Sequence, residues 1–307
     1  MMVINRLNES VSEMVKVLVL TDGRAYTDRY VNALLADSHD VYVQVAPGVT
    51  QATQGKTKVI DLFNVAEIQH ALTDIAFVAI IGEPIQSYTD LTQANQQDRR
   101  QLIYENIASA VSQSSVKHLL VIQSKPVKVL KEIVTAYDLP VTYETRHTKH
   151  LRQGGSVLSQ VTRDIHTVRS IQGLTIPEGI TMEGALSFYG RFLRTLNGRL
   201  VNGVYDGENF TVVLAPFRIP LIRMKHAEHS DRMNGIVMNI TGGLLIGASA
   251  RQARFEIRRF RYDATQCLIG LHDFVPRLPW NIYRLTQAPI HVVVSLLFRK
   301  YWEKFQQ

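Results

Sequence analysis

The spacing of apolar residues predicts two different halves of the chain. In the first half, short apolar runs alternate with segments in which apolar residues recur every three or four positions, as in βαβ units. The predicted strands are Val15–Thr21, Val41–Ala46, Lys58–Phe63, Phe77–Gly82, Lys117–Ser124 and Val141–Thr145. The predicted helices are Asp28–Asp37, Val65–Thr73, Leu91–Ser112 and Val127–Tyr137. Because βαβ connections share one hand, we expect an α/β fold with a doubly wound parallel sheet.

The second half of the chain lacks this alternation. Residues 151–180 are polar, contain Gly154, Gly155 and Pro177, and predict a linker. Beyond them, an amphipathic helix over Met182–Leu196 precedes five predicted strands, and a helix over Ile290–Lys304 closes the chain. The strands are Val201–Tyr205, Thr211–Ala215, Gly235–Thr241, Arg254–Tyr262 and Gln266–Leu271. We therefore predict an extension outside the fold over 1–13, a first domain over 14–150, and an α+β domain with an antiparallel sheet over 181–307.

Composition narrows the class of protein. The chain has 307 residues, of which 46% are hydrophobic and 20% charged, and no apolar run approaches the roughly 20 residues of a spanning helix. The first residues show no apolar signal segment, and Cys267 is the only cysteine, so no internal disulfide can form. These features favour a cytoplasmic protein.

Charge is divided unevenly between the halves. Residues 1–150 carry a net charge of −2 and residues 151–307 carry +9, and 17 of the 20 cations in the second half are arginine. Arginine binds carboxylate and phosphate groups in a bidentate manner. We expect a small anionic ligand, held by arginines of the predicted Arg254–Tyr262 strand across a cleft from the carboxyl ends of the parallel strands, and no nucleic acid. The alternative is a solvated basic surface.

The turn after the first predicted strand lies where a doubly wound sheet binds a dinucleotide. It has the sequence Thr21-Asp22-Gly23-Arg24-Ala25-Tyr26-Thr27-Asp28. This turn resembles the T-G-x-x-G-[YF]-[IL]-G fingerprint of the extended and atypical short-chain dehydrogenase/reductase superfamily, which includes nucleotide-sugar epimerases and NmrA-like proteins. The resemblance implies a Rossmann-like NAD(P)-binding domain with cofactor contacts at Thr21, Gly23, Arg24 and Tyr26.

The fingerprint is degenerate at all three glycine positions. They hold Asp22, Ala25 and Asp28. A side chain at the first position strains the tight turn, a methyl group at the second narrows the approach to a pyrophosphate, and a carboxylate at the third repels an anion from the helix N-terminus. The cofactor is therefore expected to be NADP or NAD, or to be absent.

Three other segments resemble the same superfamily. Lys58–Phe63 is similar to its third strand, where the position of Asp61 often contacts adenine. Ser115–Ser124 is similar to the strand that ends at the catalytic serine, which makes Ser124 a catalytic candidate, and Glu132–Arg146 is similar to the segment that ends in an arginine. The resemblance thus implies cofactor contacts at Asp61, at Gly82 after the fourth strand and at Arg146.

The catalytic Tyr-x-x-x-Lys pair of this superfamily is absent. Such a pair places a phenol and the lysine that lowers its pKa on one helix face. None of Tyr88, Tyr104, Tyr137 and Tyr143 has a lysine four residues later, and the sequence after the second strand, Val45-Ala46-Pro47-Gly48, contains no acid to hold an NAD ribose. Any dinucleotide binding should therefore be weak and prefer NADP, because Arg24 is the only cation in the turn.

These observations leave three functional hypotheses open. The first is an NAD(P)-binding protein of epimerase or reductase ancestry, which acts on a small anionic substrate if it is catalytic. The second is a non-catalytic dinucleotide sensor or interaction protein. The third is an anion- or lipid-binding protein on a Rossmann-like scaffold.

Other motifs in the second half suggest weaker sites. His147/His150 and His226/His229 have metal-ligand spacing but lie in polar segments, so we predict no metal site. The Arg254–Tyr262 pattern predicts Phe255 and Ile257 inward and a bulge at Arg258-Arg259 that leaves Arg258 and Arg261 outside, or else a basic pocket. His272 and Asp273 should point to opposite faces of a strand, which disfavours an acid/base pair.

The last predicted helix allows two interpretations. It is apolar from Ile290 to Phe298 and ends in Arg299-Lys300-Tyr301-Trp302-Glu303-Lys304. This aromatic and basic end is typical of peripheral contact with a membrane surface. The alternative is a docking helix that packs on the β-sheet or pairs with a second subunit.

Overall fold

The computed structural model describes residues 15–23, 26–49, 52, 54–145, 166–177, 179–196, 200–227, 234–248 and 251–304. The chain forms two compact units. The first contains Met1–Tyr88 and Arg99–Arg163, and the second contains Thr89–Asp98 and Asp164–Gln307. The predicted extension over 1–13 lies outside the described residues.

The first unit is built on a six-stranded parallel sheet. Its strands are β1 (Lys16–Thr21), β2 (Asp40–Val45), β3 (Lys56–Val59), β4 (Phe77–Ile81), β6 (His118–Gln123) and β7 (Val141–Thr145). Their order across the sheet is β3-β2-β1-β4-β6-β7, and every neighbouring pair is parallel. This is the order of the doubly wound Rossmann sheet, and the predicted fold class is confirmed.

Four helices connect these strands. They are α1 (Tyr26–Ala36), α2 (Val65–Ala71), α3 (Gln96–Ser112) and α4 (Lys128–Ala136). The apolar side of α1 packs on the sheet through Val31 and Leu34, which join Val17, Val19 and other strand residues in one core cluster. At α2, Asn64 is the N-cap and its side chain accepts a hydrogen bond from the Ala66 N–H.

The second unit is built on an eight-stranded sheet of mixed direction. Its strands are β5 (Leu91–Gln93), β8 (Val168–Thr175), β9 (Val201–Tyr205), β10 (Asn209–Leu214), β11 (Ile219–His226), β12 (Gly235–Gly242), β13 (Arg254–Arg259) and β14 (Gln266–Phe274). The order is β5-β8-β14-β13-β12-β11-β10-β9; only the β5–β8 pair is parallel. Its helices are α5 (Met182–Thr195), α6 (Trp280–Leu285) and α7 (Gln287–Glu303).

The structure corrects several predicted boundaries. Leu91–Gln93, predicted as helix, is strand β5, and α3 begins at Gln96. The segment 151–180, predicted as a linker, contains β8, which lies beside β14 in the second sheet. Strand β11 was not predicted, because Pro220 and the basic residues of that segment interrupt its apolar pattern.

The core of the second unit lies between its sheet and two helices. Residues Phe188 and Phe192 of α5 and Phe298 and Trp302 of α7 are buried in one apolar cluster with the sheet. The rings of Phe188 and Trp302 meet edge to face at 4.7 Å, an arrangement that aromatic pairs favour. Aromatic side chains at the helical spacing 188/192 and 298/302 therefore fix how α5 and α7 pack.

None of the helices in the described part of the chain is long and apolar enough to cross a membrane.

Close contact between α5 and β9 depends on two glycines. A Cβ atom at Gly203 would lie 2.6 Å from the Gly190 Cα and 2.8 Å from the Phe210 ring. We therefore expect Gly203→Ala to lower the free energy of unfolding of the second unit by about 1–3 kcal/mol, because the helix must move off the sheet. Denaturant unfolding followed by tryptophan fluorescence measures this change.

The matched control for this substitution is Val204→Ala at the next position. The Val204 side chain is 54% exposed, so its truncation should change the free energy of unfolding by less than about 0.5 kcal/mol. Equal effects of the two substitutions would contradict the packing argument.

Candidate functional site

The turn between β1 and α1 is closed by hydroxyl groups of the chain itself. The Thr21 hydroxyl lies 2.7 Å from the Thr27 hydroxyl and accepts a 3.1 Å hydrogen bond from the Gly23 N–H. Gly23 has φ +71°, a left-handed conformation that glycine adopts without strain. An N–H group that could bind a phosphate in this turn is therefore directed at Thr21.

Asp22 stands at the position that matches the first glycine of the fingerprint. Its side chain is buried, and Oδ2 accepts a 2.9 Å hydrogen bond from the Tyr26 hydroxyl. The Gln86 side-chain amide donates to the Asp22 carbonyl at 3.1 Å. The residue that replaces the first fingerprint glycine is thus part of a folded contact that connects the turn, α1 and the segment after β4.

Gly82 makes room for this contact. It follows β4 with φ +78°, and a Cβ atom there would collide with the Tyr26 hydroxyl and approach Asp22 Oδ2 to 2.5 Å. The Gly82 carbonyl accepts a hydrogen bond from the Gln123 side-chain amide, which also donates to the Tyr104 hydroxyl at 3.3 Å. The structure therefore brings Gly82, Tyr26 and the Thr21–Gly23 turn together.

Asp61 lies at the other end of the site, two residues after β3. It is 1% exposed; Oδ1 accepts from the Phe63 N–H and Oδ2 from the Tyr88 hydroxyl, both at 3.0 Å. The Asp61 N–H donates to Glu67 Oε2 at 2.8 Å. The carboxylate of Asp61 therefore holds the segments after β3 and β4 together.

A cavity of about 70 Å³ lies between these two ends. Its lining residues include three carboxylates and three other side chains that can form hydrogen bonds: Asp22, Asp28, Asp61, Gln44, Gln86 and Tyr88. Asp28 also lies in the first turn of α1, where a carboxylate interacts favourably with the helix dipole. Asp22 and Asp28 thus place negative charge near the N-terminus of α1, where an anionic ligand would otherwise be attracted.

The geometry does not fit a diphosphate group. Asp22 and Asp28 carry charge of the same sign as a phosphate, and the Tyr26–Asp22 contact fills the space over Gly82. Gln44, Gln86 and Tyr88, which sequence reasoning missed, offer polar groups suited to a neutral ligand. Gly82, which follows β4, is the residue of this segment that the sequence analysis named.

One further candidate residue, Ser124, lies in the described part of the chain. Ser124 follows β6 and is exposed, while Gln123 before it is buried against Gly82 and Tyr104. Arg24 and Arg146 lie outside the described residues. Within the ranges that the structure describes, no three His, Cys, Asp or Glu side chains come together to hold a metal ion.

The basic strand β13 is buried on both faces, which corrects the predicted exposed face. Phe255 and Ile257 face the apolar core as predicted, but Arg254, Glu256 and Arg258 on the opposite face are only 7%, 1% and 3% exposed. Both strand pairings of β13 keep an unbroken register, so the bulge predicted at Arg258-Arg259 is wrong. The irregularity lies on β14 instead, between Leu271 and Phe274.

Ion pairs compensate these buried arginines. Arg258 pairs with Glu256 at 3.1 Å, while Arg169 of β8 and Arg254 lie 3.5 and 3.4 Å from the Asp273 carboxylate. Asp273 adopts φ +53° at the irregularity, which lets its side chain reach the face that also holds His272. The predicted separation of His272 and Asp273 onto opposite faces is therefore wrong, because both join one buried polar cluster.

His272 is the titratable base of this cluster. Its Nε2 lies 3.0 Å from Glu256 Oε1, and burial together with the positive charge of Arg254 lowers the pKa of His272 to about 4. Burial by itself would raise the pKa of Glu256, but Arg258 and His272 hold it well below its usual value. The imidazole is therefore neutral and the carboxylate ionised at neutral pH.

Comparisons with known proteins give one relative of similar length. No family model matches the chain. Auxiliary protein GraX of Staphylococcus aureus (strain NCTC 8325 / PS 47) is 23% identical over 277 residues, which cover 89% of each protein. A Rossmann-fold NAD(P)-binding family protein from Shigella flexneri is 17% identical with a TM-score of 0.32, over 43% of this chain and 66% of that one.

A second solved structure aligns with a similar part of the chain. AtPrR2 with NADP⁺ and (+)pinoresinol is 15% identical with a TM-score of 0.32, over 43% of this chain and 50% of AtPrR2. The chain covers less than two thirds of the length of either solved structure. The similarity to each of these two structures therefore concerns less than half of this chain.

We expect Gly82→Ala to destabilise the first unit by roughly 1–3 kcal/mol, because the new methyl group meets the Tyr26 hydroxyl and Asp22 while φ stays positive. Adding Tyr26→Ala should remove part of the collision, so the double variant should be more stable than the sum of the single effects predicts. Thermal unfolding of the four proteins measures this coupling. Strict additivity would show that Tyr26 does not lie over Gly82.

We expect stability to depend on the protonation of His272. The imidazole is neutral in both states above its unfolded pKa of about 6.5, so its contribution is complete there. As pH falls from 6.5 towards 4 the unfolded state binds a proton that the folded state excludes, and stability should fall by an amount on the order of 3 kcal/mol. Chemical denaturation at a series of pH values gives the slope.

His272→Gln provides the control for this titration, because its amide can still donate to Glu256 without gaining charge. The difference in unfolding free energy between the wild type and this variant should change steadily over that pH window. A constant difference would mean that His272 titrates normally in the fold.

Proposed function

We propose that this chain is a non-catalytic ligand-binding or interaction protein, whose first unit descends from NAD(P)-binding proteins of epimerase or reductase type. The observation that carries the proposal is the hydrogen bond of the Tyr26 hydroxyl to the buried Asp22 carboxylate, made where the cofactor diphosphate would lie. The absence of a Tyr-x-x-x-Lys pair from the sequence supports the loss of the ancestral proton-transfer chemistry.

The charges of the cleft support a ligand without phosphate groups. Asp22 and Asp28 lie at or near the N-terminus of α1, where the helix dipole and backbone N–H groups attract anions, and they already supply negative charge there. A phosphate brought to this turn would be repelled at close range in a partly desolvated site. A ligand without charge is not repelled by these carboxylates.

The far side of the cleft supports recognition of a nucleoside-like group. The superfamily resemblance implies that the position of Asp61 faces adenine, and Gln44 and Tyr88 line the same cavity beside it. The Gln44 side-chain amide donates to the Ile60 carbonyl at 3.2 Å, which leaves its carbonyl oxygen as a hydrogen-bond acceptor. We infer that a neutral heterocycle, hydrogen-bonded by amide and phenol groups, is the class of ligand for this cleft.

The Staphylococcus aureus relative is named an auxiliary protein, and this description accords with a protein that acts by binding.

If a dinucleotide does bind, NADP fits better than NAD. Arg24 offers a cation in the turn, and no acid follows β2 to hold the ribose of NAD.

A series of ligands that differ only in phosphate charge tests the proposal. We expect calorimetric titration to give the affinity order adenosine, AMP, ADP, NADPH, with adenosine bound most tightly. The double variant Asp22→Asn/Asp28→Asn should remove the repulsion. The ratio of the adenosine affinity to the ADP affinity should then fall by about tenfold or more. Asp37→Asn, at the other end of α1, is the matched control and should leave the order unchanged.

Two results would overturn the proposal. NADPH binding at micromolar affinity to the wild type, weakened by Asp22→Asn/Asp28→Asn, would show that the turn still holds a dinucleotide. Failure of every ligand in both proteins would overturn the inference that this cleft binds a nucleoside-like ligand.

A further inference from the structure

The last two helices of the second unit carry exposed aliphatic side chains. On α6, Ile282 and Leu285 are 50% and 81% exposed. On α7, Val293, Leu296 and Leu297 are 53%, 52% and 42% exposed and recur at positions i, i+3 and i+4, which places them on one helix face. We call these five residues the aliphatic stripe.

The stripe is the outer face of helices that are firmly docked. On the inner face of α7, Phe298 and Trp302 are 3% exposed within the core, and the Arg299 side chain donates to the Gly173 carbonyl at 3.1 Å. The Trp302 indole donates to the Thr175 carbonyl, which ties the end of α7 to β8. The orientation of α7 is therefore fixed by its aromatic residues, and the exposure of its leucines is a consequence of that orientation.

The charged residues of the segment that carries the stripe have almost one sign. From 277 to 304 the chain contains five lysines and arginines and a single acid, Glu303. The exposed cations are Arg277 before α6, Arg284 on it, Lys300 one turn beyond Leu296, and Lys304 at the end of α7. An aliphatic face bordered by long cationic side chains has the composition of a helix that lies in the interface of an anionic membrane.

The same charges argue against a second copy of this chain as the occupant. A twofold interface places the same patch of both subunits together, so Lys300 and Lys304 of one copy would face those of the other. A protein partner is less favoured, because the aromatic residues that usually dominate protein interfaces are turned inward here. We propose that the aliphatic stripe of α6 and α7, with its bordering lysines and arginines, binds the surface of anionic lipid bilayers.

Co-sedimentation of the full chain with lipid vesicles tests this proposal. We expect binding to phosphatidylcholine vesicles in which a third of the lipid is phosphatidylglycerol, and weak binding to pure phosphatidylcholine. Lys300→Glu/Lys304→Glu should weaken the partition coefficient by about fivefold or more for each lysine, and added salt should weaken the wild type. Leu296→Asp should lower binding at least about tenfold, because it places a charge at the apolar boundary.

Val204→Asp is the matched control for Leu296→Asp. Val204 lies on edge strand β9 with 54% exposure, close to the 52% of Leu296, but outside the stripe. It should bind the anionic vesicles as the wild type does. Circular dichroism of both variants establishes that each is folded, and Leu297→Ser provides a milder variant if the aspartate unfolds α7.

Three results would overturn the proposal. The first is that the wild type does not bind the anionic vesicles. The second is that the Leu296→Asp variant binds them as well as the wild type does. The third is that sedimentation shows a dimer, or a complex with an acidic protein, and that Leu296→Asp disrupts this assembly but leaves the binding of the chain to lipid unchanged. The last result would assign the stripe to a protein partner.

Discussion

A carboxylate at the carboxyl end of β1 is the constraint on which the candidate site depends. A parallel sheet brings strand ends and a helix N-terminus to one place, where backbone dipoles favour negative charge. In this chain Asp22 supplies that charge from within the protein, and its hydrogen bond with Tyr26 requires the glycine at position 82. Two side chains and a glycine on three segments are thus mutually dependent, and an outside anion would have to displace a contact that the fold itself uses.

In the second unit, one strand lies between an apolar environment on one face and a buried polar environment on the other. Strand β13 places Phe255 and Ile257 in the apolar core and Arg254, Glu256 and Arg258 on a face that is also buried. Buried guanidinium groups are tolerable only beside carboxylates, which explains the pairing with Glu256 and Asp273. Replacing one partner alone would leave an uncompensated buried charge, so these residues constrain one another much as a packed core does.

The sequence predicts the first unit well because its central strands β1, β4 and β6 are buried along almost their whole length. Continuous apolar runs such as Val17–Leu20 leave little ambiguity, and their order follows from the handedness of βαβ units. Strand β8 was not predicted, because it mixes Arg169, Gln172 and Gly173 with apolar residues. It forms a sheet strand by pairing with β14, nearly a hundred residues later in the chain. Long-range pairing of this kind leaves no local periodicity.

The candidate site was predictable in position but not in contents. The turn Thr21–Tyr26 could be located from the end of a strand and the start of a helix, and Asp22 and Asp28 were recognisable as departures from the fingerprint. What could not be predicted is that Asp22 is held by Tyr26, or that Asp61 is held by Tyr88, since the segment after β4 has no periodic pattern. Contacts between loops depend on the three-dimensional path of the chain.

The position of the aromatic residues on α7 distinguishes an aromatic membrane anchor from a helix that packs on the sheet. Their position beside lysines suggests an aromatic anchor, yet Phe298 and Trp302 turn into the core, where each buries far more apolar area than a leucine would. These aromatic residues form the face of α7 that packs in the core of the second unit. The aliphatic residues on the opposite side therefore do not contribute to the core. Exposed leucines and valines grouped on one helix face are typical of an interaction surface, and this grouping is the basis of the proposed contact with lipid.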